Sequence, residues 1–244
     1  MFREWHDWCG PEIEVIALEL PGRGLHSRAP LINSMSTMID RLLPVLDPLL
    51  DKPFALFGHS MGALISFELS RALEVSGRKV PQHLFVSGMR PPHLWGGHKI
   101  HTLPDREFVE ALRSLNGTPS EILADNDLLE MFLPRLRADL CLSETYRYEP
   151  APPLSHSITV FSGLNDKTAP VEYLSEWQHH TQNNCTLRLF EGDHFFIQQH
   201  AHLVAASILK SLGRVFWPAA FESPAAQIAV RQPQEAEPVF SGAD

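Results

Sequence analysis

The chain has 244 residues, a formal net charge of −9 at pH 7, 44% hydrophobic residues and 20% charged residues. This composition is ordinary for a globular protein, and the acidic balance argues against nucleic acid or an anionic membrane as a partner. No apolar run approaches the roughly 18 residues that a membrane helix needs, and the mixed-charge start lacks the apolar region of a signal peptide.

Strand and helix patterns alternate along the chain. Glu12–Leu20 is rich in β-branched and aliphatic residues and stops at Pro21-Gly22, which predicts a first strand and a turn. Short apolar runs predict four further strands, at Pro53–Phe57, His83–Ser87, Ile158–Ser162 and Thr186–Phe190. Helical spacing of apolar residues predicts helices at Met35–Leu50, Met61–Ser76, Val171–His180 and Phe196–Leu212. The alternation is typical of an α/β domain with a mostly parallel sheet.

One interval, about 105–148, breaks this alternation. Its pattern is entirely helical, with helices predicted at Asp105–Leu115, Pro119–Leu123 and about Leu128–Tyr146. A helical insert in an α/β domain is often a lid over a site, so we predict one domain at 1–213 with a lid insert at about 105–148. The tail, 214–244, is rich in Ala, Pro, Gln and Glu and has no periodicity, which predicts disorder.

The segment Gly58-His59-Ser60-Met61-Gly62 fits the pattern G-x-S-x-G, in which a sharp turn between a strand and a helix lifts a serine above the sheet. The pattern alone is weak, because a chance match in a chain of this length has a probability of about one in twenty. Here a predicted strand precedes Ser60 and a predicted helix follows it, as the motif requires. The alternative is a tight turn whose serine only caps the next helix.

A nucleophilic serine needs a base, and the base needs an orienting carboxylate. Asp166 follows the predicted strand Ile158–Ser162, and His194 follows the predicted strand Thr186–Phe190. The sequence therefore predicts that both reach the sheet edge that carries Ser60, in the chain order of α/β-hydrolases. Alone, Asp166 could be a turn carboxylate and His194 a solvated loop histidine.

Other histidines and acids fit these roles less well. Asp193 adjoins His194 and would struggle to point at its imidazole, while the turn directs His59 away from the serine. Three histidines without a carboxylate cluster nearby are predicted to be ordinary surface residues, namely His93, His98 and His101. The pair His179-His180 is predicted to occupy a favourable charge position at a helix C-terminus. The cysteines Cys9, Cys141 and Cys185 are odd in number and widely spaced, so we expect a reduced, cytoplasmic protein without a disulfide framework or a zinc site.

Five ordered motifs resemble the type II thioesterases, stand-alone α/β-hydrolases of nonribosomal peptide and polyketide synthesis that are related to the animal medium-chain fatty-acyl thioesterase. The motifs are Leu20-Pro21-Gly22-Arg23-Gly24, Phe57-Gly58-His59-Ser60-Met61-Gly62, Gly117-Thr118-Pro119, Leu136-Arg137-Ala138-Asp139-Leu140 and Gly192-Asp193-His194-Phe195-Phe196. The resemblance runs from about Phe2 to Leu212. It implies an α/β-hydrolase fold, a catalytic triad of Ser60, Asp166 and His194, and an oxyanion-hole N–H from Met61.

The resemblance also implies the reaction and its partner. The expected activity is hydrolysis of acyl or aminoacyl thioesters on the phosphopantetheine arm of a carrier protein, for editing or product release, by a monomer that needs no cofactor or metal. Three arginines of the insert could help to bind an acidic carrier or could instead be solvated or paired with acids, namely Arg135, Arg137 and Arg147. Two other readings are a small-molecule carboxylesterase and a weakly active or inactive carrier-binding homologue.

The start of the chain departs from the family pattern. Members usually begin with a buried strand and a P-x-A-G-G-type loop that supplies one of two oxyanion N–H groups, and both are absent here. The missing strand would lie at the centre of the sheet, between Glu12–Leu20 and Pro53–Phe57, and a lost oxyanion donor costs on the order of 10²–10³ in rate. We expect Met1 to be an internal position of a longer natural protein, because the other motifs are intact. The alternative is that the chain is a degenerate, poorly active copy.

Overall fold

A computed structural model describes residues 2, 4–97, 99–115, 117 and 120–216. Two compact units divide the chain, Met1–Ala206 and Ser207–Asp244, and the sheet lies wholly within the first. The predicted disordered tail falls almost entirely outside the described residues. No helix in the described part of the chain is both long and apolar enough to cross a membrane.

In the part of the chain that the structure describes, four parallel strands form the sheet in the order β1-β2-β3-β4. Their bounds are Leu56–His59 (β1), His83–Ser87 (β2), Ser157–Gly163 (β3) and Cys185–Phe190 (β4). The register pairs Phe57 with Phe85 and Phe85 with Thr159. Because the strands are parallel, their carboxyl ends lie at the same edge of the sheet. The predicted parallel sheet is confirmed for these four strands.

The described residues contain nine α-helices. Their bounds are Trp5–Cys9 (α1), Met35–Leu46 (α2), Met61–Val75 (α3), Asp105–Leu115 (α4), Ser120–Ala124 (α5), Asn126–Glu144 (α6), Val171–Leu174 (α7), Phe196–Gln199 (α8) and Ala201–Phe216 (α9). The predicted helices α2 to α6 match within a few residues. The predicted helix after Thr186–Phe190 is divided at His200, and α7 continues as a tighter 3₁₀ turn over Ser175–His180.

The strand predicted over Glu12–Leu20 is wrong, because this segment has no regular structure. None of its apolar side chains is buried, and Ile16 is 48% exposed. A strand is stabilised by ladder hydrogen bonds and by packing against neighbours. Among the described residues β1 pairs with β2 alone, so Glu12–Leu20 has no adjacent strand to extend.

The core lies between α3 and the strands. Leu64, Leu69 and Leu73 of α3 are fully buried, and every residue of β2 is buried. Trp177 closes this core, with its indole N–H donating to the carbonyl of Met89 at 2.9 Å. The strands are therefore held firmly from the α3 side, which fixes the loops at their carboxyl ends.

Two histidine predictions are wrong. His101, predicted to lie on the surface, is partly buried and donates its Nδ1–H to the buried carboxylate of Glu144 at 2.5 Å, and the Glu144 oxygens also accept the backbone N–H groups of Ile100 and His101. His180 is 4% exposed, and burial lowers its pKa to about 4, so it is neutral rather than a charge at a helix end. His98 lies outside the described residues.

Candidate active site

Ser60 occupies the sharp turn between β1 and α3. It has φ of 54° and ψ of −122°, and it is the only described residue other than glycine with a positive φ. Such a conformation costs on the order of 1–3 kcal/mol and clusters at functional sites. A Cβ on Gly58 would lie 2.0 Å from the carbonyl oxygen of Gly62, so the turn needs glycine there. The turn is anchored by the Ser60 N–H, which donates to the carbonyl of Ser87 at 2.7 Å.

Two hydrogen bonds link Ser60 to the histidine and the aspartate that sequence analysis selected. His194 Nε2 lies 2.9 Å from Ser60 Oγ, and His194 Nδ1 lies 2.9 Å from Asp166 Oδ2. Because Asp166 accepts at Nδ1, the imidazole carries its proton there and leaves the Nε2 lone pair for the serine hydroxyl. The three side chains come from loops after β1, β3 and β4, which end at the same edge of the sheet.

The environment keeps Asp166 ionised. Burial acts to raise the pKa of this carboxyl, which is 3% exposed, but the hydrogen bond from His194 and the backbone N–H groups of Ala169 and Thr168 outweigh it and lower the pKa below its usual value. A charged carboxylate beside the imidazole stabilises a positive charge that forms there. Asp193, the rival acid, instead accepts the N–H of Phe195 at 2.9 Å.

His59 lies next to His194, a position that sequence analysis did not identify. Its ring centroid is 5.0 Å from that of His194, and its Nδ1 lies 2.9 Å from Ser87 Oγ, so it packs beside His194 and does not bond Ser60. Burial and the charge of His194 lower the pKa of His59 to about 3, while Asp166 opposes this shift, and the ring is neutral.

Gly88, directly after β2, leaves the space in which both imidazoles sit. It has φ of +59°, and a Cβ there would lie 2.7 Å from His59 Cε1 and 3.2 Å from His194 Cε1. Sequence analysis missed Gly88, and the signal available was a glycine directly after a buried strand.

Two motifs of the resemblance meet beside His194. The Phe195 ring stands edge-on to His194 with centroids 5.0 Å apart, and a Cβ on Gly117 would lie 2.5 Å from Phe195 Cζ. The segment between α4 and α5 therefore approaches the imidazole side of the site, and the rest of its motif, Thr118 and Pro119, lies outside the described residues.

Met61 is the first residue of α3 and follows Ser60 directly. The first N–H groups of a helix have no partner within the helix, and the dipole of α3 favours negative charge at this end. The backbone N–H of Met61 is therefore suited to bind an oxygen that becomes negative next to Ser60.

The arginines of the insert are largely committed to the protein itself. Arg137 donates to the carbonyls of His101 and Leu103 and to Asp105 Oδ1, and its guanidinium lies 4.1 Å from the Phe108 ring centroid. Arg147 donates to the carbonyls of Glu144 and Tyr146. Arg135 stacks over Phe132 at 4.3 Å. Arg137 thus ties α6 to the segment that leads into α4, whereas Arg147 bonds only carbonyls within three positions of itself.

A second ion pair connects two of the family-like motifs. Arg23 of the first motif bonds the carboxylate of Asp139 in the fourth, and both side chains are about one quarter exposed. Burial raises the pKa of Asp139, although Arg23 opposes the shift. This contact ties the loop after Glu12–Leu20 to α6.

Comparison with known proteins shows the same family over most of the chain. A family model described as the thioesterase domain matches residues 1–212. The chain is 40% identical over 216 residues to "Linear gramicidin dehydrogenase LgrE" of Brevibacillus parabrevis (87% of this chain and 82% of that protein). It is 32% identical over 219 residues to the human "S-acyl fatty acid synthase thioesterase, medium chain" (86% and 82%).

A solved structure agrees with this result. The type II thioesterase BorB from the borrelidin biosynthetic cluster is 33% identical, with a TM-score of 0.78 over 86% of this chain and 85% of that one. The name of LgrE describes a dehydrogenase, whereas the family model describes a thioesterase domain and the other two proteins are thioesterases. The residues that match the family model include Ser60, Asp166 and His194. With the parallel sheet, these matches confirm the predicted α/β-hydrolase fold.

Proposed function

Because this chain belongs to the thioesterase-domain family, we propose that it hydrolyses acyl or aminoacyl thioesters on the phosphopantetheine arm of a carrier protein, with Ser60 as nucleophile. The family and its reaction class rest on the match over residues 1–212. The residue roles rest on one observation, the unbroken hydrogen-bond chain from Ser60 through His194 to Asp166.

Acylation begins when Ser60 Oγ attacks the thioester carbonyl carbon. His194 Nε2, 2.9 Å away, takes the hydroxyl proton, and the ionised Asp166 holds the resulting imidazolium by its Nδ1–H. The carbonyl oxygen becomes negative in the tetrahedral intermediate, and the N–H of Met61 at the α3 N-terminus binds it.

The tetrahedral intermediate then collapses: the C–S bond breaks, the departing sulfur takes the proton held on His194 Nε2, and the imidazole is neutral again. A thiol has a pKa of about 8.5, so the phosphopantetheine sulfur needs less help from this acid than an alkoxide does. Water next attacks the acyl-enzyme while His194 accepts one of its protons; collapse of the second intermediate returns that proton to Ser60 Oγ and releases the carboxylic or amino acid. The left-handed turn conformation of Ser60 places this residue at the carboxyl end of β1, where the site lies.

The partner follows from the family and from two neighbours. LgrE carries gramicidin in its name, and BorB belongs to a biosynthetic cluster as a type II thioesterase. We therefore assign the chain an editing or release role beside a synthase of peptides or polyketides. The insert helices α4 to α6 serve as its lid, and the monomeric state and cytoplasmic location remain predictions.

The test is mass spectrometry of an acylated carrier protein incubated with the chain. We expect loss of the acyl group with the chain, and none with Ser60→Ala; exposed Ser36→Ala is the matched control and should keep wild-type activity. A fluorophosphonate probe should label the wild type and not Ser60→Ala. A folded chain that is neither labelled nor active would support a non-catalytic carrier-binding protein instead.

A second arm separates thioesterase from carboxylesterase. The acyl-carrier substrate is compared with a p-nitrophenyl ester of the same acyl chain. A higher kcat/KM for the carrier thioester supports the proposal, whereas a clear preference for the free oxyester would overturn the carrier assignment and leave the Ser60 mechanism intact.

A further inference from the structure

We propose that His93, Glu176 and His179 bind one divalent transition-metal ion, zinc being the physiological candidate, at a site separate from Ser60. One ligand atom from each residue lies within 4.8 Å of the other two. The set comprises two imidazoles and a carboxylate, a combination that zinc binds in proteins with water in the remaining position. The site shares no residue with the proposed catalytic group.

Local structure places two of the ligands on one face. Glu176 and His179 lie in the 3₁₀ turn Ser175–His180, where side chains three residues apart eclipse each other. The Oε2 of Glu176 is 3.1 Å from Nδ1 of His179. Two ligand atoms of one tetrahedral zinc ion lie roughly 3.3 Å apart, as bond lengths of about 2.0–2.2 Å require, so this pair already has the spacing of two ligands.

The third ligand comes from the turn Pro92–Leu94, which follows β2. His93 Nε2 is 3.8 Å from the same Glu176 oxygen. Its other ring nitrogen, Nδ1, lies 2.7 Å from Nε2 of His180. When His93 donates a proton from Nδ1 to His180, the Nε2 lone pair is directed toward the ligand group.

His180 fixes the orientation of His93. It is buried, and aromatic rings surround it: the centroids of Phe67, Tyr148 and Trp177 lie 5.2, 5.3 and 5.5 Å from its own. Zinc-binding histidines usually have their second nitrogen held in this way, and loss of such a partner costs about 10–100-fold in metal affinity. A buried residue therefore orients one of the three proposed ligands, which is not expected of a chance group of charged surface residues.

The ion would join two segments that are far apart in sequence. Exposed positions around Glu176 and His179 leave room for water as a fourth ligand. Because the ion binds the folded arrangement, it should stabilise the fold by mass action. The ion is therefore expected to stabilise the folded chain, and thioester hydrolysis is expected to continue without it.

Cobalt(II) is the probe, because its visible absorption reports nitrogen and oxygen ligation in a site that accepts zinc. The untagged full chain is titrated with Co²⁺ and then with Zn²⁺, and Tm is followed in parallel. We expect one ion per chain, displacement of cobalt by zinc, and a Tm that rises with zinc concentration. His93→Ala, His179→Ala and the milder Glu176→Gln should each weaken affinity at least tenfold, whereas exposed His26→Ala should not.

Circular dichroism and a cooperative thermal unfolding transition in the absence of metal establish that each variant is folded. Unchanged binding in folded His93→Ala and His179→Ala, or no saturable binding to the wild type at millimolar Co²⁺, would overturn the proposal. A thiolate-to-cobalt charge-transfer band would assign the ion to a cysteine and would also overturn it. Because the readout is ion binding, these outcomes do not depend on the proposed reaction at Ser60.

Discussion

Replacing Gly88 by alanine is expected to lower kcat/KM for the carrier thioester by about 10- to 100-fold. The new Cβ would lie 2.7 Å from His59 Cε1 and 3.2 Å from His194 Cε1. Ordinary carbon–carbon contacts are about 3.5–4.0 Å, so the His59 ring must retreat by roughly 1 Å and the His194 ring by several tenths of an ångström. A displacement of about 1 Å at a catalytic group costs roughly 10²-fold in rate, and the smaller movement of the base sets the lower figure.

Gly77→Ala is the matched control for backbone strain. Gly77 has φ of +66°, close to the +59° of Gly88, but a Cβ there meets nothing within 4 Å. Both variants force alanine into the left-handed region, which should cost about 1–2 kcal/mol of unfolding free energy, and Gly88→Ala should lose more because its Cβ also displaces two packed rings. Only Gly88→Ala should lose activity. If Gly88→Ala hydrolyses the carrier thioester at the rate of Gly77→Ala, close packing against the two imidazoles does not set the position of the base.

Three further predictions test the acid, the insert anchor and the buried histidines. Asp166→Asn should lower kcat by about 10³–10⁴ with a nearly unchanged KM, and a loss below tenfold in steady-state kinetics would refute the orienting role. Glu144→Gln removes a charged acceptor of three hydrogen bonds and should cost about 1–3 kcal/mol in urea unfolding, whereas exposed Glu110→Gln should cost far less; equal losses would contradict the argument. Burial lowers the pKa of three histidines, to about 3 or about 4: His59, His83 and His180. Unfolding returns these groups to about 6.5, so the unfolded chain binds more protons below that pH, and the free energy of unfolding should fall from pH 7 to pH 5. His83→Gln should reduce the slope, and a flat profile would refute the assignment.

The position of the proposed catalytic group follows from a rule of topology. Parallel strands end at one edge, so residues directly after three strands of a parallel sheet come together whatever their separation in the chain. The sequence predicted those strand ends within two residues, and Ser60, His194 and Asp166 lie within hydrogen-bond reach. Prediction succeeded here because only the ends of strands were needed, and not side-chain packing.

The supporting residues could not be predicted in this way. His59 points toward Ser87, and Gly88 makes room for two rings, only because β1 and β2 pair in a particular register. No local pattern encodes that register. His101 was predicted to lie on the surface because its partner Glu144 is 43 positions away along the chain, and no local pattern indicates that contact.

Glu12–Leu20 shows a second reason why prediction failed: its sequence favours a strand, but the segment does not form one. Its β-branched residues favour an extended backbone, yet propensity within a strand is worth a fraction of the packing and ladder hydrogen bonds that a neighbour supplies. Without an adjacent strand in the described residues, the segment is held by Leu18 and Leu20, which pack partly buried against the core, and by Arg23 after it, which bonds Asp139 of α6. Arg23→Ala removes one of these two attachments, so hydrogen exchange should become faster over 12–24 and stay unchanged in the sheet.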